Sequence, residues 1–271
     1  MSFNYKEYLR ADKLPHIWCP GCGHGIVLKT MIRSIAAMGW EKDDIVVTSG
    51  IGCASRLPGY VDFNTLHTTH GRAISFATGI KIAKPHLKVI VVGGDGDMAA
   101  IGGNHFIHAC RRNIDLTVIV FNNYIYGMTG SQYSPTTPFG AKASTAPYGM
   151  AEQPFDICQL AIGAGATFVA RGTTYHAIPL ENIIKQALEH KGLSIVEVIE
   201  ACPIGFGRKN RMGSPSQMLL WQKEHAVSVQ KAKTMKEEEL AGKFTIGVLH
   251  KVDREDYLTL YDRMVGLTEA K

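Results

Sequence analysis

Four short apolar, β-branched runs constrain this chain most: Asp44–Thr48, Leu87–Val92, Asp115–Phe121 and Leu193–Ile199. Each is too short for a typical helix and apolar on both faces, which is how a strand buried in a parallel sheet reads. A shorter run, Thr167–Ala170, reads the same way. Between them lie stretches with helical spacing: Cys22–Met38, Gly71–Ala83, Met98–Arg111, Phe155–Ile162 and Leu180–His190. In the first, Ile26, Leu28, Met31, Ile32 and Ile35 share one face. Alternating strands and helices predict an α/β fold, a parallel sheet with helices on both faces.

Glycines gather where the apolar runs end: Gly21/Gly23/Gly25, Gly50/Gly52, Gly93/Gly94/Gly96, Gly102/Gly103 and Gly127/Gly130. In open α/β sheets ligands sit at the carboxyl ends of the strands, so these turns are where a site is expected. Gly50–Asn64 and Ser131–Gly149 read as loops. From Ile204 onward the strand pattern fades, and Gln217–Leu240 reads as a charged helical stretch. The expected division is residues 1–205 as the α/β domain and 206–271 as a helical, partner-contacting extension. Within the latter, Lys231–Lys243 reads as a solvated helix.

The chain has 271 residues, 45% hydrophobic and 20% charged, enough to bury a core without disulfides. The net charge of +5 is scattered, a poor footprint for nucleic acid. The longest apolar runs are about six residues, far short of a membrane span, and Met1–Lys13 has no apolar signal core. A cytoplasmic protein is expected.

Gly94-Asp95-Gly96-Asp97-Met98-Ala99 ends one predicted strand and opens a helix, which resembles a dinucleotide fingerprint. Two features oppose that reading. The acidic residue needed for a ribose, Asp115, falls at the wrong end of its strand. Asp95 would also repel a pyrophosphate unless a divalent cation lay between them. Mg²⁺ takes hard oxygen ligands and commonly bridges carboxylate to phosphate. Asn123 follows Asp95 by 28 positions, at the end of the next predicted strand. Adjacent parallel strands would set Asp95 and Asn123 side by side, with a backbone carbonyl just beyond as a third ligand and N–H groups at Asp97–Ala99 facing the phosphates.

There are six cysteines. Cys110 and Cys158 fall inside predicted helices and read as core residues. Cys19 and Cys22 form a C-x-x-C, while Cys53 and Cys202 lie in predicted loops. A redox dithiol would not need Cys53 and Cys202. On the cysteines alone, structural zinc and an iron–sulfur cluster both remain open.

Gly94-Asp95-Gly96 followed by Asn122-Asn123 resembles the thiamine-diphosphate motif. Asn123-Tyr-Ile-Tyr-Gly-Met-Thr-Gly-Ser-Gln-Tyr-Ser-Pro-Thr-Thr137 is similar to the β subunits of 2-oxoacid:ferredoxin oxidoreductases. So are Trp18-Cys-Pro-Gly-Cys-Gly-His-Gly25 and Ser49-Gly-Ile-Gly-Cys-Ala54. The resemblance covers about residues 15–210. It implies thiamine diphosphate held by Mg²⁺ on Asp95, Asn123 and the carbonyl of Ile125, and one [4Fe–4S] cluster on Cys19, Cys22, Cys53 and Cys202. Ile51, Gly52, Cys53, His70, Gly94, Gly96, Asp97, Tyr126, Gly127, Met128 and Thr129 would complete the cofactor site.

The implied reaction is oxidative decarboxylation of a 2-oxoacid with coenzyme A, electrons leaving through the cluster to ferredoxin, conceivably run in reverse to fix CO₂. His70, Arg72 and Thr129 are the candidate catalytic residues, with Arg72 near an anionic group. His67 and His70 lack a nearby third ligand, so they do not read as a metal pair. Met128 before Thr129-Gly130 departs from the pyruvate-specific pattern and resembles the short β subunits associated with 2-oxoglutarate; Arg56 or Arg72 would meet a distal carboxylate. The alternatives are pyruvate, a branched-chain or aryl 2-oxoacid, or a non-redox thiamine enzyme subunit. No glutamate can be assigned to the aminopyrimidine, so the resemblance implies an α subunit carrying the pyrimidine-binding domain, in a heterotetramer, and a chain inactive alone.

Overall fold

The computed structural model describes residues 3–266. In chain order the elements are α1 (His24–Met38), β1 (Ile45–Ser49), β2 (Asn64–His67), α2 (Ala73–Ala83), β3 (Lys88–Gly94), α3 (Asp95–Ala99), α4 (Gly103–Arg112), β4 (Thr117–Asn122), β5 (Ile125–Tyr126) and β6 (Gln132–Tyr133). There follow α5 (Ile157–Gly163), β7 (Phe168–Thr173), α6 (Ala177–Glu189), β8 (Ser194–Ile199), α7 (Pro215–His225), β9 (Ala226–Ser228), α8 (Val229–Ala232), α9 (Glu237–Leu240), β10 (Phe244–Lys251) and α10 (Tyr257–Met264).

Eight strands form one sheet in the order β2-β1-β3-β4-β8-β7-β10-β9. All neighbours are parallel except β7 and β10. Alternation along the central strands sends side chains to opposite faces. Ile90, Val92, Ile119 and Phe121 join α1 and α6 on one face. Val89, Val91, Val118 and Val120 join α2, α4 and α5 on the other. Cys110 and Cys158 are fully buried in this second layer, as expected of core residues. The expected parallel sheet with a helical layer on each face is therefore present.

The structure departs from sequence expectation at four places. Gly50–Asn64 was expected to be loop throughout, yet it contains a helical turn (Ala54–Gly59) and runs into β2. Strand β2 lies at the sheet edge and is mostly polar, so it lacks the apolar signature of the inner strands. The expected helix Met98–Arg111 is two helices, broken at Ala100–Gly102. A methyl group on Gly102 would fall 2.3 Å from the carbonyl oxygen of Asp97, and only glycine permits that approach. Ser131–Gly149 contains the short strand β6. Finally, the segment after residue 205 is not wholly helical. Strand β10 pairs antiparallel with β7 and extends the sheet, with a register shift between Val248 and His250. The charged stretch 217–240 breaks into α7, β9, α8 and α9. No helix among the described residues is long and apolar enough to cross a membrane.

One buried side chain ties this last segment to the sheet. Asn113 ends α4 with φ +52°, a left-handed conformation that Asn tolerates better than most residues. Its Oδ1 accepts from the Leu193 N–H (2.8 Å) and the Thr167 hydroxyl (2.8 Å). Its Nδ2 donates to the carbonyls of Arg254 and Glu255, both at 3.1 Å. Replacing it strands buried donors at the starts of β7 and β8. Asn113→Ala is expected to cost about 2 kcal/mol or more in denaturant unfolding, with Asn113→Gly less damaging because it relieves the backbone.

Candidate active site

Parallel pairing brings the chemistry-bearing turns to one edge. Register Gly94↔Phe121 puts the ends of β3 and β4 together, so Asp95 and Asn123 follow adjacent strands. The turn after β1 supplies Ile51, Gly52 and Cys53, and the turn after β2 supplies His70. All of these, with Gly94, Gly96, Asp97, Ile125, Tyr126, Gly127, Met128 and Thr129, line one cavity of about 260 Å³. Arg72 does not line it; its guanidinium is held by the carbonyls of Ile101 (3.1 Å) and Gly71 (3.4 Å). The Thr129 hydroxyl donates to Gln132 Oε1 at 2.6 Å.

Asp95 is buried. Its Oδ2 accepts from the hydroxyls of Ser134 and Thr136, both at 2.5 Å, and Oδ1 receives no side-chain donor among the described residues. Burial pushes its pKa up to about 6, against the lowering effect of those hydroxyls. Thr136 also lies 2.9 Å from Asn122 Oδ1, whose amide nitrogen donates to Glu197 Oε1 at 2.7 Å. Glu197 Oε2 in turn meets Arg171 Nε at 2.5 Å. Asp156, Cys158 and Glu197 converge as metal ligands would, but the Arg171 guanidinium already supplies the cation there.

Asp97 has a different task. Its Oδ1 accepts from the N–H groups of Gly71 (2.7 Å) and Ile51 (3.3 Å) and lies 2.7 Å from His70 Nδ1. One carboxylate thus clamps the turns after β1 and β2 to the start of α3, although burial pushes its pKa upward. A cradle lies beside it: a methyl group on Gly96 would fall 2.3 Å from the Tyr126 ring, whose hydroxyl donates to the Gly96 carbonyl at 3.1 Å. Helix α3 is a single turn, so few backbone N–H groups are available there.

Cys19, Cys22, Cys53 and Cys202 converge on a second cavity, of about 290 Å³. Gly127 and Gly205 approach it without side chains; a methyl on Gly205 would sit 3.1 Å from Cys202 Sγ. Burial pushes Cys53 up to about 11 and raises Cys22 and Cys202 as well. Four sulfurs at such a site favour a soft, highly charged cationic centre that holds them as thiolates. His24, Cys53, Asn123, Gly127 and Met128 line both cavities, which therefore share a wall.

Residues 50–198 match the family described as thiamine pyrophosphate enzyme, C-terminal TPP binding domain. The chain is 52% identical over 259 residues to the 2-oxoglutarate synthase subunit KorB of Methanocaldococcus jannaschii, covering 96% of each. It is 60% identical over 203 residues to the protein of that name from Archaeoglobus fulgidus, covering 75% of this chain and 76% of the relative. It also matches the 2-oxoacid:ferredoxin oxidoreductase subunit beta of Saccharolobus solfataricus, at 46% over 188 residues, 69% of this chain and 62% of that one. This chain belongs to the β-subunit family of 2-oxoacid:ferredoxin oxidoreductases. The solved 2-oxoglutarate:ferredoxin oxidoreductase of Magnetococcus marinus, with 2-oxoglutarate, coenzyme A and succinyl-CoA bound, superposes with a TM-score of 0.86 at 33% identity, covering 98% of this chain and 91% of that one. The family fold is thus shared over nearly the whole length, and the β subunit is one part of a multi-subunit oxidoreductase.

Several residues at the site had no individual role assigned from sequence: His24, Asn122, Ser134 and Thr136, which lie inside segments that carry the family resemblance, and Glu197 and Glu200. The buried acids had a legible signal, since Glu197 and Glu200 interrupt or follow an otherwise apolar run. The contact of the two hydroxyls with Asp95 was not legible, because only the return of a long loop brings them there. Asp97→Ala is expected to lower stability by about 1.5–3 kcal/mol and to speed amide hydrogen exchange at Ile51 and Gly71 ahead of the strands.

Proposed function

We propose that this β subunit holds thiamine diphosphate through Mg²⁺ and carries a [4Fe–4S] cluster. In complex with an α subunit, it serves the CoA-dependent oxidative decarboxylation of 2-oxoglutarate to succinyl-CoA and CO₂, with ferredoxin as electron acceptor. The observation that supports this best is the wall shared by the Asp95/Asn123 cavity and the four-cysteine cavity. Asp95, Asn123 and the Ile125 carbonyl are the Mg²⁺ ligands in this reading, and Cys19, Cys22, Cys53 and Cys202 hold the cluster.

Thiamine diphosphate supplies a carbon nucleophile and a sink for the electron pair that decarboxylation releases. A cluster held by the four cysteines would supply a one-electron acceptor. This chain's residues do the rest. The Ser134 and Thr136 hydroxyls fix Asp95 with one oxygen directed to the metal. The clamp at Asp97 holds the two turns that form the cavity floor. Ile51 and Met128, both exposed at the cavity, form an apolar rim suited to burial under the α subunit. Neither Arg56, exposed on the turn after Cys53, nor Arg72, held on backbone carbonyls, lines the cavity, so the cation for a distal carboxylate is expected from the partner subunit.

The complex assembled with its partner subunit is expected to turn over 2-oxoglutarate with the highest kcat/KM in a 2-oxoacid panel, and the chain alone to be inactive. Turnover by the chain alone, or a preference for pyruvate, would contradict the reading. Cys53→Ser should lower iron and acid-labile sulfide below about four of each per chain and abolish ferredoxin reduction, while Cys110→Ser should leave both intact. Metal binding requires Asp95 as carboxylate, and a group shifted up to about 6 is protonated below that value. Affinity for Mg²⁺-thiamine diphosphate should therefore hold above about pH 6 and fall roughly tenfold per unit below it; a flat profile between about pH 5 and pH 8 would refute this.

A further inference from the structure

The wall between the two cavities contains a buried pair that neither site explains by itself. His24 and Glu200 are almost completely buried, with Nδ1 and Oε1 2.9 Å apart. Glu200 Oε1 also accepts from Asn123 Nδ2 at 3.2 Å. His24 Nδ1 is at the same time 2.8 Å from Cys22 Sγ. The contacts therefore run Asn123–Glu200–His24–Cys22, from the thiamine side to the cysteine side. His24 Nε2 has no partner among the described residues, so a neutral ring keeps its proton on Nδ1, where acceptors lie. The main chain is shaped around the pair: a methyl group on Gly23 would fall 2.6 Å from Glu200 Cβ. His24 further packs between the rings of Trp18 and Phe121, at 5.4 and 5.3 Å, which limits its reorientation.

We infer that His24 and Glu200 are positioning residues shared by the two cofactor sites, so that one pair sets both the grip on the diphosphate metal and the potential of the cluster. The inference rests on the reading of function above. By taking the Asn123 amide N–H, Glu200 turns the amide oxygen away from itself and leaves it for the metal; partners of this kind typically change metal affinity 10–100-fold. His24 shares its single Nδ1–H between Glu200 Oε1 and Cys22 Sγ; the share on sulfur stabilises the more negative, reduced cluster and raises its potential. Because Glu200 also anchors the His24 ring, disturbing one site is felt at the other.

The test uses the complex with its partner subunit, purified without oxygen, and two measurements on each variant. One is the affinity for thiamine diphosphate at fixed Mg²⁺ after the cofactor has been stripped. The other is the cluster potential from an EPR-monitored redox titration. Glu200→Ala is expected to weaken cofactor binding about tenfold or more and to give a lower potential than Glu200→Gln, because both remove the carboxylate charge near the cysteines and only Ala also takes away the anchor of His24. Glu200→Gln keeps an acceptor and should restore binding, while its potential lies above that of Glu200→Ala. His24→Phe should lower the potential, and His24→Asn, which offers an N–H at the Nδ1 position, should restore it. Iron content equal to wild type would show that the variants fold and load. A Glu200→Ala protein with weakened binding but a potential no lower than that of Glu200→Gln, or with unmoved binding, would overturn the inference. A wild-type complex lacking iron or failing to bind thiamine diphosphate would overturn the functional reading itself.

Discussion

A carboxylate buried at the end of a central strand is the constraint on which this structure turns. Asp95 is 2% exposed, just past β3 and beside strands whose buried side chains are mostly apolar. An uncompensated charge there would be very costly. The fold compensates in stages. The loop after β6 returns to place Ser134 and Thr136 on one oxygen. Asn122 supports Thr136, Glu197 supports Asn122, and Arg171 neutralises Glu197. The other oxygen receives no side-chain donor among the described residues. Packing and chemistry are joined here: the hydroxyls that make burial tolerable also orient the carboxylate.

The same logic governs the neighbouring groups. Asp97 spends its buried charge on two backbone N–H groups and a histidine, so it holds turns in place. Of the four cysteines of the second cavity, Cys22, Cys53 and Cys202 have pKa values raised by burial and Cys19 is exposed. Because both cavities form where strands end at one sheet edge, they share side chains.

Much of this was legible in the residues. The apolar runs at 87–92 and 115–121 announced adjacent buried strands, and with them the meeting of Asp95 and Asn123. The cysteines sorted correctly into loop and core by their surroundings: Cys110 and Cys158 are buried in α4 and α5, while the other four converge. Less legible were the elements without a strong period. Strand β2 is polar because one edge faces solvent, and β10 follows a charged run that reads as helix. The break at Gly102 depends on its contact with the Asp97 carbonyl, a tertiary event invisible to helical spacing.

What the sequence determined by itself is the class of fold and the positions of the chemistry. Alternating strand and helix periods admit few topologies, and glycine, aspartate, asparagine and cysteine at strand ends mark the functional edge. What only the tertiary structure decided is which groups support which. Ser134 and Thr136 meet Asp95 across about 40 residues of chain, and Glu200 meets His24 across far more. Such pairings follow from loop closure and sheet order, which depend on the packing of the whole chain and leave no local pattern to read.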